Sequence, residues 1–327
     1  MSVRLLLGLM VVWATVVVGR ADAEVDDGIT KSRAFNMRYR AILPIEKGTG
    51  VVDLWLPIPY NSGDQRITNL KVLSPFPYQL NTEPEYGNQM VHVRVVDPQG
   101  TVLSVELRFD VWRRAINLES IVNDDGFGNP SERYVKPDVL VPVGGRFDRI
   151  ARLAAKGRTE PISRGRGLYE FVLRDMSYDK SVDGYGRGDA NRACDIKKGN
   201  CTDFHSYFIS LARSLAIPAR FEMGFPLPFS RGEGKLKGYH CWAWFFVSGR
   251  GWVPVDISEA DKNPELAKFY FGGLDESRVG LVIGRDIKLE PPQQGSRLNY
   301  FIYPYGEVDG KVVPVEWEAR YTDLAKK

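Results

Sequence analysis

The chain has 327 residues, of which 43% are hydrophobic and 12% aromatic, a composition typical of a globular protein long enough for two hydrophobic cores. Its formal net charge is only +3 and its basic residues are scattered along the chain, so the sequence gives no indication of nucleic-acid binding.

Residues 1–23 have the pattern of a secretory signal peptide. Arg4 precedes the apolar run Leu5–Val18, and Ala21-Asp22-Ala23 is a small-x-small cleavage signal. The run is shorter than the roughly 20 residues that span a bilayer, which favours cleavage over the alternative of an uncleaved anchor. We therefore expect export to the periplasm or the exterior after removal of residues 1–23, with no membrane-spanning segment left in the mature chain.

Residues 30–118 predict an antiparallel β-sandwich-like domain. Short segments with a period of two are separated by Pro and Gly turns, and no helical period interrupts them. The first strand alternates apolar and polar residues from Phe35 to Ala41. Further strands are expected at 51–57, 69–73, 90–95 and 102–111.

Residues 119–138 are interpreted as a linker, because Asn123–Pro130 combines Asn, Asp, Gly and Pro. Helices are predicted after it at 146–155 and 162–176, where apolar residues fall on one face. A loop rich in Gly and Asp is expected from Asp179 to Asp189. The linker separates the first domain from a second one, at 139–262.

Cys201 stands at the predicted start of an amphipathic helix. Apolar residues follow it at steps of four, three and four: Phe204, Phe208, Leu211 and Leu215. Asn200 is a good N-cap, which places Cys201 in the first helical turn. The free N–H groups and the positive dipole end of the helix favour an anion there and lower the pKa of the thiol. The sequence therefore predicts a nucleophile at Cys201.

A base and a group that orients it follow on two predicted strands. His240 opens the apolar strand 240–247, and Asp256 lies near the end of the returning strand 252–257. A hairpin brings the carboxylate back to the neighbourhood of the imidazole. A thiol, an imidazole and a carboxylate in this order form a nucleophilic triad in principle.

These segments resemble the transglutaminase-like superfamily. Gly-Asn-Cys201 is followed by a helix and by Leu-Ala-Ile-Pro-Ala-Arg, and Tyr-His240-Cys-Trp is followed by Gly-Trp-Val-Pro-Val-Asp256. The blocks have the family's order and spacing over roughly 139–260. The resemblance implies a papain-like α+β core with Cys201 as nucleophile, His240 as base and Asp256 as the residue that orients it. It also implies cleavage of amide or ester bonds through a thioester and transfer of the acyl group to an amine or to water.

The expected fold is α+β, with a papain/transglutaminase-like core preceded by an antiparallel β-sandwich and followed by a β-rich tail at 263–327. Strands in the tail are expected at 279–289, 298–303 and 315–321, and Asp309-Gly310 signals a hairpin turn.

The expected function is that of an exported thiol acyl-enzyme acting on protein or peptide amides. It is interpreted as a cysteine peptidase or amidase, or a protein-glutamine acyltransferase, without cofactor or metal. Hydrolysis is preferred, because nothing in the sequence marks a site for an acceptor amine. The alternative is a non-catalytic envelope binding protein that retains the fold. The reactivity of the Cys201 thiol distinguishes the two.

The remaining cysteines and histidines allow further interpretations. If Cys201 is a free thiol, the remaining two of the three cysteines, Cys194 and Cys241, are the candidates for a disulfide. A zinc site would use ligands from His205, His240 and the three cysteines, but no Cys-x-x-Cys pair is present. His205 is therefore interpreted as a helix-packing residue or as a contact of the site. Asp203 is interpreted as a favourable charge at the helix start.

Stabilisation of an oxyanion requires two hydrogen-bond donors. The backbone N–H of Cys201 is the first candidate. Tyr185 is a candidate for the second, because its loop leads toward Cys201, and the alternative is an ordinary loop tyrosine.

Overall fold

The structure is a computed structural model that describes residues 31–100, 102–121, 130 and 132–325. The expected signal segment, residues 1–23, lies outside the described residues, and so do residues 122–129 and 131 of the expected linker 119–138. The described residues from Lys31 onward form one compact unit. Among them, none of the helices has the length and apolar character needed to cross a membrane.

Six antiparallel strands make up the N-terminal part. They are β1 Ser32–Pro44, β2 Val51–Ile58, β3 Gln65–Leu73, β4 Gln79–Thr82, β5 Gln89–Val96 and β6 Val102–Arg114. In β1 the side chains of Phe35, Met37 and Tyr39 are fully buried, whereas those between them are not. The alternation predicted for this strand is therefore confirmed. The sequence pattern did not reveal β4, in which no residue is fully buried.

The described central part contains five α-helices and seven strands. The helices are α1 Arg146–Ala154, α2 Pro161–Asp175, α3 Ala190–Ile196, α4 Cys201–Ser214 and α5 Ile257–Lys262. The strands are the two-residue pair β7 Ser177–Tyr178 and β8 Lys198–Gly199, then β9 Ala219–Pro226, β10 Glu233–Leu236, β11 His240–Val247, β12 Gly251–Val255 and β13 Arg278–Ile283. Of these strands, β9, β11, β12 and β13 form one four-stranded sheet.

Helix α4 is the centre of this part. Every residue from Cys201 to Arg213 is buried, and the helix packs against β11 and β9 as well as against the other helices. The sheet has the order β12-β11-β9-β13, so Pro254 lies in the edge strand β12. Pro has no N–H to donate to a further strand, which explains why the edge position suits it.

The C-terminal strands complete the N-terminal sheets. They are β14 Tyr305–Val308, β15 Lys311–Val313 and β16 Glu316–Asp323. Asp309 and Gly310 connect β14 to β15 with positive φ angles of 49° and 73°, as the hairpin signal predicts. The two five-stranded sheets have the orders β10-β16-β1-β6-β3 and β15-β14-β2-β5-β4. Their buried side chains belong to one hydrophobic core, which gives the sandwich.

Several expected elements differ from the structure. The strand expected at 279–289 ends at Ile283, and 298–303 forms no regular strand beyond a single bridge from Leu298 to Ile287. Tyr300 and Tyr303 of that segment line a cavity instead. Helices α3 and α5 were not foreseen. Each is short, and an aspartate caps its start: Asp189 for α3 and Asp256 for α5.

Candidate active site

The start of α4 holds Cys201 in the first helical turn. Asn200 accepts a hydrogen bond from the N–H of Thr202 at 2.9 Å, and Asp203 accepts one from the N–H of Asn200 at 3.0 Å. The side chain of Asn200 also accepts from the N–H of Asp203, so Asn200 and Asp203 form a reciprocal capping box. Since Cys201 is the first residue of α4, its N–H has no acceptor within the helix. A donor is therefore left at the positive end of the helix, on the residue that carries the thiol.

Asp203 also fastens a glycine loop to α4. Its carboxylate accepts hydrogen bonds from the N–H groups of Gly186 at 2.7 Å and Gly188 at 3.1 Å. Both glycines have positive φ, and a Cβ on Gly188 would come within 2.6 Å of the Ser206 hydroxyl. Glycine is therefore needed here for backbone conformation and close approach. The sequence suggested only a favourable helix-start charge for Asp203, so its contact with the loop was missed.

His240 and Asp256 are hydrogen-bonded to each other. The Nε2 atom of His240 lies 2.7 Å from Oδ2 of Asp256, and both side chains are buried. His240 is the first residue of β11, and Asp256 directly follows β12, the antiparallel neighbour of β11. Since Nε2 is bonded to Asp256, Nδ1 is the ring nitrogen left for the hydrogen bond with the Cys201 thiol. The structure thus brings together the three residues that the sequence singled out.

The charges of this group favour a thiolate. Burial alone would raise the pKa of Cys201, but hydrogen bonds with Cys241 and His240 and the charge of the imidazolium lower it well below its usual value. Burial would likewise lower the pKa of His240, yet the charge and hydrogen bond of Asp256 raise it to about 10. A lowered thiol pKa beside a raised imidazole pKa favours a thiolate–imidazolium pair at neutral pH.

A buried arginine completes the group. Arg278 donates to Oδ2 of Asp256 at 2.9 Å and to Oδ2 of Asp275 at 2.5 Å, and its guanidinium carbon lies 4.8 Å from the centroid of the Trp242 ring. Burial would raise the pKa of Asp256, but the charges of His240 and Arg278 hold it far below its usual range. No local motif marks Arg278. It is brought here by pairing of β13 with β9, although 51 residues separate the end of β9 from the start of β13.

His205 and Cys241 pack beside the thiol. The Nε2 atom of His205 accepts a hydrogen bond from the N–H of Ile257 at 3.0 Å, and burial lowers the pKa of His205 to about 4. His205 is therefore neutral at pH 7, with its proton on Nδ1, which lies 3.7 Å from Sγ of Cys241. This matches the interpretation of His205 as a packing contact of the site.

The expected pairing of Cys194 with Cys241 is wrong. All three cysteines are free thiols. Cys194 lies on α3, where its Sγ is 3.0 Å from Nη2 of Arg146, whereas Cys241 lies on β11 beside Cys201. Cys194 is thus apart from the other residues considered for zinc. Among the described residues, no group of three or more His, Cys, Asp or Glu side chains is arranged to hold a metal ion.

A cavity of about 350 Å³ opens at Cys201. Tyrosines dominate its lining: Tyr178, Tyr185, Tyr239, Tyr300 and Tyr303. Tyr239 is anchored to the helix start, since its hydroxyl lies 2.8 Å from Oγ1 of Thr202 and accepts a hydrogen bond from the Asn200 side chain at 3.2 Å. Tyr185, the candidate oxyanion donor, lies in the same lining and is 43% exposed.

Comparison with known proteins agrees with this architecture. Residues 148–257 match the model of the transglutaminase-like superfamily. An uncharacterized protein of Haemophilus influenzae is 27% identical over 317 residues, which cover 84% of this chain and 85% of the relative.

Solved structures are also similar. One, described as a "Putative Cysteine Protease" from Cytophaga hutchinsonii, superposes with a TM-score of 0.55 at 14% identity, over 91% of this chain and 92% of that one. The periplasmic domain of TgpA from Pseudomonas aeruginosa matches more distantly, with a TM-score of 0.38 at 16% identity over 72% of this chain and 92% of that domain. The first likeness shows that the two chains share a fold.

Proposed function

We propose that this chain, whose residues 148–257 belong to the transglutaminase-like superfamily, is a cysteine-dependent enzyme that breaks protein or peptide amide bonds through a thioester on Cys201. The observation that carries the proposal is the buried hydrogen bond of 2.7 Å between His240 and Asp256 beside a thiol of lowered pKa. A group arranged in this way generates a nucleophile at neutral pH.

In the proposed reaction the thiolate of Cys201 attacks the amide carbonyl carbon. The carbon–sulfur bond forms while the carbonyl oxygen takes the negative charge. When the tetrahedral intermediate collapses, the carbon–nitrogen bond breaks and the protonated Nδ1 of His240 gives its proton to the leaving amine. The neutral His240 then removes a proton from water or from an acceptor amine, which attacks the thioester and releases the thiol. Asp256 keeps the ring oriented through Nε2 in both steps.

The oxyanion in this scheme lies near the start of α4. The N–H of Cys201 is one donor, and the helix dipole adds a favourable potential. Tyr185 is proposed as the second donor, because its side chain lines the same cavity as Cys201. Replacement of Tyr185 with Phe removes only the hydroxyl and should lower kcat about tenfold or more, with little change in KM.

The proposal is tested by the reactivity of the thiol. Iodoacetamide should alkylate Cys201 at a rate that is already high at pH 6, well below the pKa of about 8.5 of a free thiol. Mass spectrometry of the native protein should find the label on Cys201. In His240→Ala the rapid alkylation at pH 6 should be lost. A rate that rises only near pH 8.5 in the native enzyme would favour the binding protein instead.

The acyl acceptor and the location of the protein form part of the proposal. Water is proposed as the acceptor, and mass analysis of products formed with and without an added primary amine distinguishes hydrolysis from acyl transfer. Export follows from the signal pattern of residues 1–23. Expression in a bacterial host should give a periplasmic protein whose amino terminus is Glu24, and a cytoplasmic protein of full length would contradict it.

A further inference from the structure

Two basic side chains line the cavity beside Cys201. Lys180 and Arg187 both lie in the segment between β7 and α3, and both are exposed to solvent. The residues that line the cavity include no Asp and no Glu. Two cations around a cavity without a carboxylate give it a positive potential, which attracts anionic ligands.

These cations differ from their basic neighbours. Lys197 forms an ion pair with Asp175 at 2.8 Å, and Lys198 forms one with Asp179 at 3.2 Å. Across the described residues, neither Lys180 nor Arg187 forms an ion pair. The contact of Lys180 is with the ring of Tyr178, whose centroid lies 5.7 Å from Nζ. Both charges therefore remain available to a ligand in the cavity.

The backbone that carries Arg187 is held in place. Its carbonyl accepts hydrogen bonds from Nη2 of Arg285 and from Nδ2 of Asn299, both at 2.9 Å. Gly186 and Gly188, on either side, donate to the carboxylate of Asp203 on α4. Because α4 also carries Cys201, this loop and the thiol belong to one connected unit, which reduces the ordering that ligand binding would require.

The remaining lining is aromatic. The ring centroid of Tyr239 lies 5.7 Å from that of Tyr300 and 6.1 Å from that of Tyr303. Packed rings offer apolar faces to the uncharged part of a ligand, and tyrosine hydroxyls add hydrogen-bonding groups. The positive end of α4 adds to the positive potential from the side of the thiol, where the opposite charges of Cys201 and His240 offset each other.

We infer that the cavity selects acidic peptides, in which a carboxylate stands close in sequence to the amide carbonyl attacked by Cys201. The guanidinium of Arg187 suits bidentate binding of that carboxylate, and Lys180 adds a point charge. The tyrosines receive the neighbouring peptide. This inference rests on the proposed function, because it takes Cys201 as the reacting group.

The first experiment compares two alkylating reagents of similar size on the whole mature protein. Iodoacetate and iodoacetamide both lose iodide to the same thiolate, but only iodoacetate carries a negative charge. The iodoacetate-to-iodoacetamide rate ratio of the native protein should fall about tenfold in the double variant Lys180→Gln/Arg187→Gln, and raised salt should reduce the difference. Lys198→Gln, an exposed cation outside the lining, is the matched control and should keep the native ratio.

The second experiment measures protection of Cys201 by peptides with blocked termini. Acetyl-Ala-Ala-Glu-Ala-Ala-amide should slow alkylation by iodoacetamide at a concentration about tenfold lower than the corresponding Gln peptide, and the double variant should abolish this preference. Equal protection by both peptides, or a rate ratio unaffected by the double variant, would overturn the inference. If Cys201 still reacts rapidly at pH 6, the proposed function survives that result. If Cys201 reacts with iodoacetamide as an ordinary thiol does, the proposed function itself fails.

Discussion

Two buried carboxylates at the site differ in what binds them. Among the residues that the structure describes, Asp203, on α4, accepts hydrogen bonds from backbone N–H groups alone, and its burial raises its pKa. Asp256, at the start of α5, is bonded to His240 and Arg278. Burial opposes its ionisation as well, but the two cationic partners lower its pKa.

Asp203 therefore maintains the shape of the site, whereas Asp256 maintains its charge. Neutral backbone donors fix the loop around Gly186 and Gly188 without changing the charge of the site. Cationic partners keep Asp256 ionised, and its charge in turn keeps His240 protonated. Replacing each carboxylate by the amide of the same shape should therefore have different consequences: mainly a loss of stability at Asp203, and a loss of reactivity in addition at Asp256.

The largest effect is expected for Asp256→Asn. Loss of the carboxylate charge lowers the pKa of His240 from about 10 toward neutrality and removes the imidazolium partner of the thiolate. Alkylation of Cys201 at pH 6 and any peptide turnover should fall by about 10³-fold or more. Asn also caps helices well, so α5 should keep its start. An amide cannot accept from all the donors of Asp256, which include His240 and Arg278, so the free energy of unfolding should also fall by about 2–3 kcal/mol.

Glu259 provides the matched control for that change. Its carboxylate lies 3.9 Å from Nε2 of His240 and pairs with Lys262 at 2.5 Å, outside hydrogen-bond distance of the ring. Glu259→Gln should alter the rate less than threefold. An equal loss of reactivity in both variants would mean that general negative charge, and not the bond from Asp256, sets the state of His240.

Asp203→Asn should primarily reduce stability. An amide presents a donor to one of the N–H groups of Asn200, Gly186 or Gly188, so at least one buried donor loses its acceptor. The free energy of unfolding, measured with urea, should fall by about 2–3 kcal/mol. Asp189→Asn, at the half-buried N-cap of α3, is the control and should cost less than about 0.5 kcal/mol, since Asn is an equally good cap. Equal losses would contradict a special role of Asp203.

The same distinction explains how much could be predicted from the sequence. Features that depend on local sequence were predictable: the N-cap before Cys201, the start of α4 and the strand that begins with His240. Asp256 was predictable as the return of a hairpin. Each of these depends on residues that are near in the chain, where capping and periodicity operate.

Contacts between distant segments could not be predicted. Arg278 reaches Asp256 only because β13 joins the sheet beyond β9. The bonds of Asp203 to the glycine loop depend on a tertiary fold of the segment before α3. The expected Cys194–Cys241 pairing came from counting thiols, and counting carries no information about which faces of the core the thiols occupy. In each case the deciding term is tertiary packing.

Arg278→Gln tests the role of the cation that contacts Asp256. Removing this charge should raise the pKa of Cys201, because a cation that favours the thiolate is lost. It should also raise the pKa of His240, because Asp256 is then shared with no other cation. The pH profile of alkylation has an acid limb set by the pKa of Cys201 and an alkaline limb set by the pKa of His240. Both limbs should therefore move to higher pH by about half a unit to one unit. Arg278→Lys should return both limbs most of the way to their native positions.

A second buried arginine serves as the control for Arg278. Arg213 donates to Asp138 at 2.7 Å, and both side chains are buried. Arg213→Gln should lower stability without moving either limb of the profile. If the limbs move equally in both variants, the effect of Arg278 comes from a general loss of packing.

The smallest effect is expected for Cys241→Ala. The hydrogen bond between Cys241 and Cys201 helps to lower the pKa of Cys201 against the opposing effect of burial. Its loss should move the acid limb of the alkylation profile to higher pH by about half a unit, which corresponds to about 0.7 kcal/mol. The alkaline limb should stay near its native position. Cys194→Ala removes a buried thiol that contacts Arg146 instead, so it should cost a comparable amount of stability without moving the limb. An acid limb that stays in place in Cys241→Ala would mean that His240 and the start of α4 are sufficient to ionise the thiol.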